Sequence, residues 1–149
     1  MAPSEYFIRL QKGIEGGFAP PTPSAILKLV KSADDSNIII NESIRPDGEP
    51  GMERKPQKTL DSSDEEVQDL VTELYEILQT LPLESPPGSE DIYRRDTSIT
   101  WGSDDFEWCN GGPQGCTREE SDVHPSEAEQ SKFVRAIDIV RELVGMGTP

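Results

Sequence analysis

The sequence predicts an α+β domain: an antiparallel sheet of four to five strands with two helices packed on one face. Three observations carry this. Val67, Leu70, Val71, Leu74, Ile77, Leu78 and Leu81 recur at three- and four-residue steps, one continuous helical stripe. Phe133, Ile137, Val140 and Val144 repeat the pattern near the C-terminus, with Ala136 and Leu143 beside them. Between and before these stripes, short segments alternate apolar and polar residues, as half-buried strands do.

Glu5 to Lys12 is the first predicted strand. Tyr6, Ile8 and Leu10 alternate with Phe7, Arg9 and Gln11, giving one apolar face and one mixed face. Gly13, Gly16 and Gly17 then let the chain turn or bulge, and Pro20-Pro21-Thr22-Pro23 is stiff and extended. Ala25 to Ser32 predicts a second strand, antiparallel to the first. Ala33 to Asn37 has turn chemistry, and Ile38 to Ile44 is a β-branched third strand. The polar stretch Pro46 to Lys58 reads as a loop.

The first helix begins at one of two alternative capping boxes, Ser62-x-x-Glu65 or Ser63-x-x-Glu66. Asp64, Glu65 and Glu66 lie where the helix dipole favours anions. Pro82 stops the helix, because the residue before a proline leaves the α region. After a spacer from Leu83 to Glu90, Asp91 to Trp101 predicts a strand that turns at Gly102 to Asp105. Phe106, Trp108 and Asn110 return on a partner strand, so that Trp101 faces Phe106 or Trp108. Gly111 to Val123 is a loop, Pro125 opens the last helix and Gly145 ends it. The result is a single domain over residues 5–147 with long loops at about 45–59 and 110–124.

Composition narrows the function. Acidic residues outnumber basic ones 29 to 14 and the net charge is −15. Nucleic acid binding needs clustered cations to displace counterions, so no nucleic-acid partner is expected, and no anionic membrane surface either. The longest apolar run, Ile38-Ile39-Ile40, is too short to span a bilayer. The first residues have neither a basic nor an apolar signal region, so a cytoplasmic location is expected. In such a compartment Cys109 and Cys116 stay reduced; in an oxidising one the loop between them closes as a disulfide.

No catalytic constellation is present: no HExxH, no Cys/His dyad at a helix start, no phosphate-binding glycine loop. The sequence therefore predicts a non-enzyme without cofactors. Cys109, Cys116 and His124 fall short of the four ligands that structural zinc takes, so no metal site is expected. The acidic pairs at 34–35, 104–105 and 119–120 follow no calcium-loop pattern and read as solvated turns. Trp101 and Trp108 read as sheet packing.

Several landmarks occur together in a fixed order. A strand runs into Gly16-Gly17-Phe18-Ala19, a second strand follows, and a Leu60-led acidic helix start comes next. That helix closes on Leu81-Pro82, and an Asp91-x-Tyr93 entry leads to a hairpin and a C-terminal amphipathic helix. This order resembles the emfourin, or protealysin-inhibitor, family of small α+β proteins, whose characterised members inhibit thermolysin-type zinc metallopeptidases. The chain departs from the family in a first hairpin loop lengthened by Pro20–Pro23, and in apparent insertions at Asp34 to Lys58 and Gly111 to Ser121. The resemblance implies a proteinase inhibitor acting by reversible occlusion of a metallopeptidase cleft. The alternative is a non-catalytic acidic protein–protein interaction module on the same scaffold. Under the first reading Gly16, Gly17, Phe18, Ala19 and Pro20 form the partner-binding segment: a glycine-turned, proline-braced backbone loses little entropy on binding, and Phe18 fills an apolar pocket. Under a purely structural reading the same residues form a strand bulge with Phe18 in the core.

Overall fold

Apolar alternation produces three consecutive antiparallel strands, β1 (Tyr6–Lys12), β2 (Ala25–Lys31) and β3 (Asn37–Ile44). Their register sets Ile8 opposite Leu29, and Leu29 opposite Ile40, so the buried side chains form one continuous apolar face. The computed structural model describes residues 4–14, 24–45, 53–85, 89–111 and 121–149.

The outer edge of β3 is covered by β4 (Glu53–Arg54) and β5 (Lys58–Asp61). Part of the stretch expected to be loop is therefore strand, because the free edge of β3 needs backbone partners. The two short strands are one edge strand interrupted by a bulge. Ser43 pairs with Arg54 and Ile40 with Lys58, so Lys55, Pro56 and Gln57 stand opposite only Asn41 and Glu42. Pro56 has no N–H to donate, and a bulge on an edge strand is where a sheet tolerates it.

On the other side β1 pairs with β6 (Thr97–Gly102), which pairs with β7 (Glu107–Cys109). The sheet order is β4-β3-β2-β1-β6-β7, with β5 also on β3, so more strands are present than the four to five expected. Trp101 pairs with Trp108. Phe106 instead lies beside the turn and meets Tyr75 edge-on at 5.9 Å. The strand expected from Asp91 begins only at Thr97. Ahead of it Ile92 and Tyr93 are both buried, and Arg94 and Asp96 have positive φ, which strand backbone does not adopt.

Helix α1 (Glu65–Thr80) is capped by neither expected serine, but by the residue after Ser63. Asp64 is the N-cap, and its carboxylate accepts from the N–H groups of Glu66 and Val67. Ser62 and Ser63 are used elsewhere, Ser62 on the distant Ser36 carbonyl and Ser63 on the neighbouring Asp61 carboxylate. Helix α2 (Glu127–Met146) is capped by Ser126, which forms a reciprocal box with Glu129, so Pro125 precedes the helix instead of opening it. Gly145 lies inside α2. Gly147 ends it, and Thr148 then bridges to Thr59 through two backbone bonds, laying the C-terminal tail beside β5.

Both helices lie on the same side of the sheet. Tyr75 tilts against Trp101 at 5.3 Å, Trp108 donates to the Leu81 carbonyl, and Phe133 stacks on Tyr93 at 4.3 Å. Leu74, Leu78, Phe133, Ala136, Ile139, Val140 and Leu143 have no exposed surface. Each large apolar side chain sealed in this way contributes about 1.5–3 kcal/mol. Among the described residues no helix is long and apolar enough to cross a membrane.

Candidate functional site

At the end of the sheet where β1 stops, β2 and β6 begin beside it and β3 ends next to β2. The connection from β1 to β2 leaves and re-enters this end under restraint at both stems. Gly13, at φ 96°, donates to the Asp96 carbonyl at 2.7 Å, and Ile14 donates its N–H to Asp96 Oδ1 at 2.8 Å. The Ile14 side chain is buried, which pins the outgoing stem. On the return, Ser24 donates to the Lys12 carbonyl at 2.8 Å and receives the Arg45 N–H at 2.9 Å.

The clamp is itself braced. Asp91 accepts the Arg94 N–H on its carbonyl and the Asp96 N–H on Oδ2, closing a turn with Arg94 at φ 55° and Asp96 at φ 52°. The left-handed region disfavours most L-residues by roughly 1–2 kcal/mol, although Asp tolerates it better than most. The Asp91 and Asp96 hydrogen bonds offset that strain.

A second brace holds the segment after β7. Asn110 accepts from Ile99 N–H, donates to the Thr97 carbonyl and accepts the Ser98 hydroxyl on its own carbonyl. Gly111, at φ 83°, donates to Glu84 Oε2 at 2.8 Å. Further along, Ser121 donates its N–H to Glu90 Oε1, while its hydroxyl accepts from Ser85 and Val123. Glu84, Glu90, Asp91 and Asp96 thus receive backbone N–H groups from connecting segments. Their chemistry is positional: carboxylate oxygens are strong acceptors for such donors. Tyr93 adds a neutral contact to the Pro82 carbonyl at 2.5 Å, and burial, with the charges of Glu129 and Glu84, keeps its hydroxyl protonated well above the usual range.

The proposed binding residues Gly16, Gly17, Phe18, Ala19 and Pro20 lie outside the described residues; the structure shows the stems between which they run. Cys116 and the acidic pair at 119–120 also lie outside. Cys109 is a free thiol on β7, 3.2 Å from the Thr100 hydroxyl. His124 is exposed. Among the described residues no group of three or more His, Cys, Asp or Glu side chains is arranged to hold a metal ion. Asp35 caps the Asn37 N–H, and Asp105 accepts from Tyr75 and Ser103, so both belong to turns as expected.

Sequence reading missed the anchors Glu84, Asp91, Asp96 and Asn110. The available signals were Asn110-Gly111, a pair suited to a positive-φ turn, and Asp91 and Asp96 bracketing a run that alternates as a strand does. Comparison of the chain with protein-family models, with curated proteins and with solved structures gives no match.

Proposed function

We propose that this chain is a non-catalytic inhibitor that lodges the segment between β1 and β2 in the cleft of a thermolysin-type metallopeptidase. The observation that carries the reading is the double restraint of that segment's stems: Asp96 on Gly13 and Ile14, and Lys12 and Arg45 on Ser24. Restrained stems reduce the entropy lost when a loop is immobilised against a partner. The ordered landmarks from Gly16-Gly17-Phe18-Ala19 to the C-terminal helix support the same reading, as does the α+β architecture they predict. The free thiol of Cys109 suits a reducing, cytoplasmic setting.

The second reading, an acidic interaction module for a basic partner, draws on Glu65, Glu66, Asp69 and Glu76, which are exposed along α1. One titration separates the two. Thermolysin and a fluorogenic peptide are assayed against increasing protein, with the Phe18→Ala variant in parallel. The inhibitor reading expects hydrolysis to fall with added protein and Phe18→Ala to weaken the effect. Unchanged hydrolysis by thermolysin and by other enzymes of its type overturns it.

A further inference from the structure

Acidic side chains outnumber basic ones 29 to 14 in this chain, yet one strip of the sheet carries the opposite sign, with Glu107 and Asp61 on the same face but outside that strip. On the sheet face turned away from the helices, Arg9 lies directly opposite Lys28 across the β1–β2 pair. Two strands further along, Arg54 lies opposite Ser43. Like charges facing each other across strands are unfavourable for folding. Among the described residues the ion pairs are Lys58 with Glu42 and Arg135 with Glu73, so none of Arg9, Lys28 and Arg54 is in one.

The neighbouring cross-strand row is apolar. Phe7 faces Val30, and Val30 faces Ile39, with Val30 37% exposed. On the side of the Arg9–Lys28 row away from the apolar one, Ile26, Lys28, Asn41, Ser43 and Arg54 line a groove of about 280 Å³, with Arg54 reaching Asn41 Oδ1 at 3.4 Å. That volume suits one or two side chains better than a whole drug-sized ligand.

We propose that this face docks an acidic segment of a partner protein, its carboxylates over Arg9, Lys28 and Arg54 and its apolar side chains on Phe7, Val30 and Ile39. Charge complementarity selects the occupant. A carboxylate offers a planar acceptor for the Arg54 guanidinium, and alternating acidic and apolar residues match the two rows. A nucleic acid is disfavoured because its dense phosphates meet only three cations on a molecule of net charge −15. None of these side chains is assigned to protease binding, so the proposal stands or falls separately from protease inhibition.

The test uses the full chain and a fluorescein-labelled peptide of alternating Glu and Leu. Its controls are the same peptide with Lys for Glu and a single-stranded oligonucleotide of equal charge. Anisotropy should rise with the acidic peptide alone, fall with added salt, and show at least roughly tenfold weaker binding for Lys28→Glu/Arg54→Glu. Chemical-shift mapping on the unmodified protein, which needs no variant to fold, should place the changes on β1, β2 and β3 at Arg9, Lys28 and Val30. The double variant should still act on thermolysin as the unmodified protein does. The proposal is overturned by equal binding of the Lys peptide or the oligonucleotide, by undiminished binding to the variant, by shifts confined elsewhere, or by no binding.

Discussion

Ile14 donates its backbone N–H to the carboxylate of Asp96 at 2.8 Å, across 82 positions of sequence. The same Asp96 takes the Gly13 N–H on its carbonyl, so one residue fixes the outgoing stem of the β1–β2 connection twice. Asp96→Ala removes the side-chain acceptor and leaves a buried stem with one fewer partner. The expected loss is about 1–3 kcal/mol of stability. Asp96→Asn should lose much less, because its amide oxygen still accepts and Asn also tolerates positive φ. Amide exchange at Ile14 reads the effect directly: faster in Asp96→Ala, near normal in Asp96→Asn. Equal protection in all three proteins would remove the clamp from the argument.

Arg135 on α2 grips Glu73 on α1 through two parallel bonds, Nε to Oε2 at 2.7 Å and Nη2 to Oε1 at 2.9 Å. The Arg135 hydrogen bond holds the Glu73 carboxyl below its usual range. Both side chains are more than two-fifths exposed, so water and salt screen much of that attraction. Glu73→Gln should therefore lower stability by no more than about 1 kcal/mol at low salt and by less in molar salt. A larger loss in urea denaturation, or one that salt leaves unchanged, would mean the pair does more than pin two helix surfaces together.

Tyr75 donates its hydroxyl to Asp105, joining α1 to the turn between β6 and β7. That bond first, and the Ser103 hydroxyl second, hold the Asp105 carboxyl below the normal carboxylate range. A folded-state value below the unfolded one adds stability that is fully present above the unfolded value, about 3.9. It is lost as pH falls through the folded value. The contribution is thus absent only in acid. Tyr75→Phe should raise the Asp105 value in an NMR titration and flatten the fall of stability below about pH 4, where Asp61 and Glu73, also lowered, still titrate. An Asp105 titration identical in both proteins would contradict this.

The helices were the most legible part of the chain because their period is long and redundant. Seven positions of the α1 stripe agree with one another, so no single misread residue moves it. The cap was harder: Ser62, Ser63 and Asp64 are three adjacent acceptors, and a tertiary contact with Ser36 and a local one with Asp61 decide which is left for the helix. Short edge strands were illegible for a related reason. Glu53–Arg54 has no apolar alternation, and it is strand only because Ser43 and Ile44 present an unpaired edge. The turn at 91–96 was hidden by its composition, since Tyr93 and Arg95 alternate with Ile92 and Arg94 as a strand would. What distinguishes it is the pair of positive φ values held by Asp91, a long-range consequence that local pattern does not encode. The anchoring carboxylates look, in sequence, like any other members of an acidic surface.

Two glycines near the C-terminus separate helix propensity from packing. Gly145 lies within α2, and a Cβ there meets nothing within 4 Å. Gly145→Ala should stabilise the protein by about 0.5 kcal/mol, the lower end of the alanine advantage because the position is near the helix end. Gly147 follows the helix with φ −67° and ψ 153°, a conformation that any residue adopts, so backbone freedom does not require glycine there. Space does. A Cβ would lie 2.8 Å from Ile40 Cδ1 and 3.2 Å from Lys58 Cβ, and Ile40 is fully buried against the core. Gly147→Ala should therefore cost about 1–3 kcal/mol by overpacking. It should also loosen the paired bonds between Thr148 and Thr59 that lay the tail along β5. Urea midpoints moving in opposite directions for the two variants, with faster amide exchange at Thr59 and Thr148 only in Gly147→Ala, are the expected result. Shifts of the same sign would mean that the tail is not seated against β5.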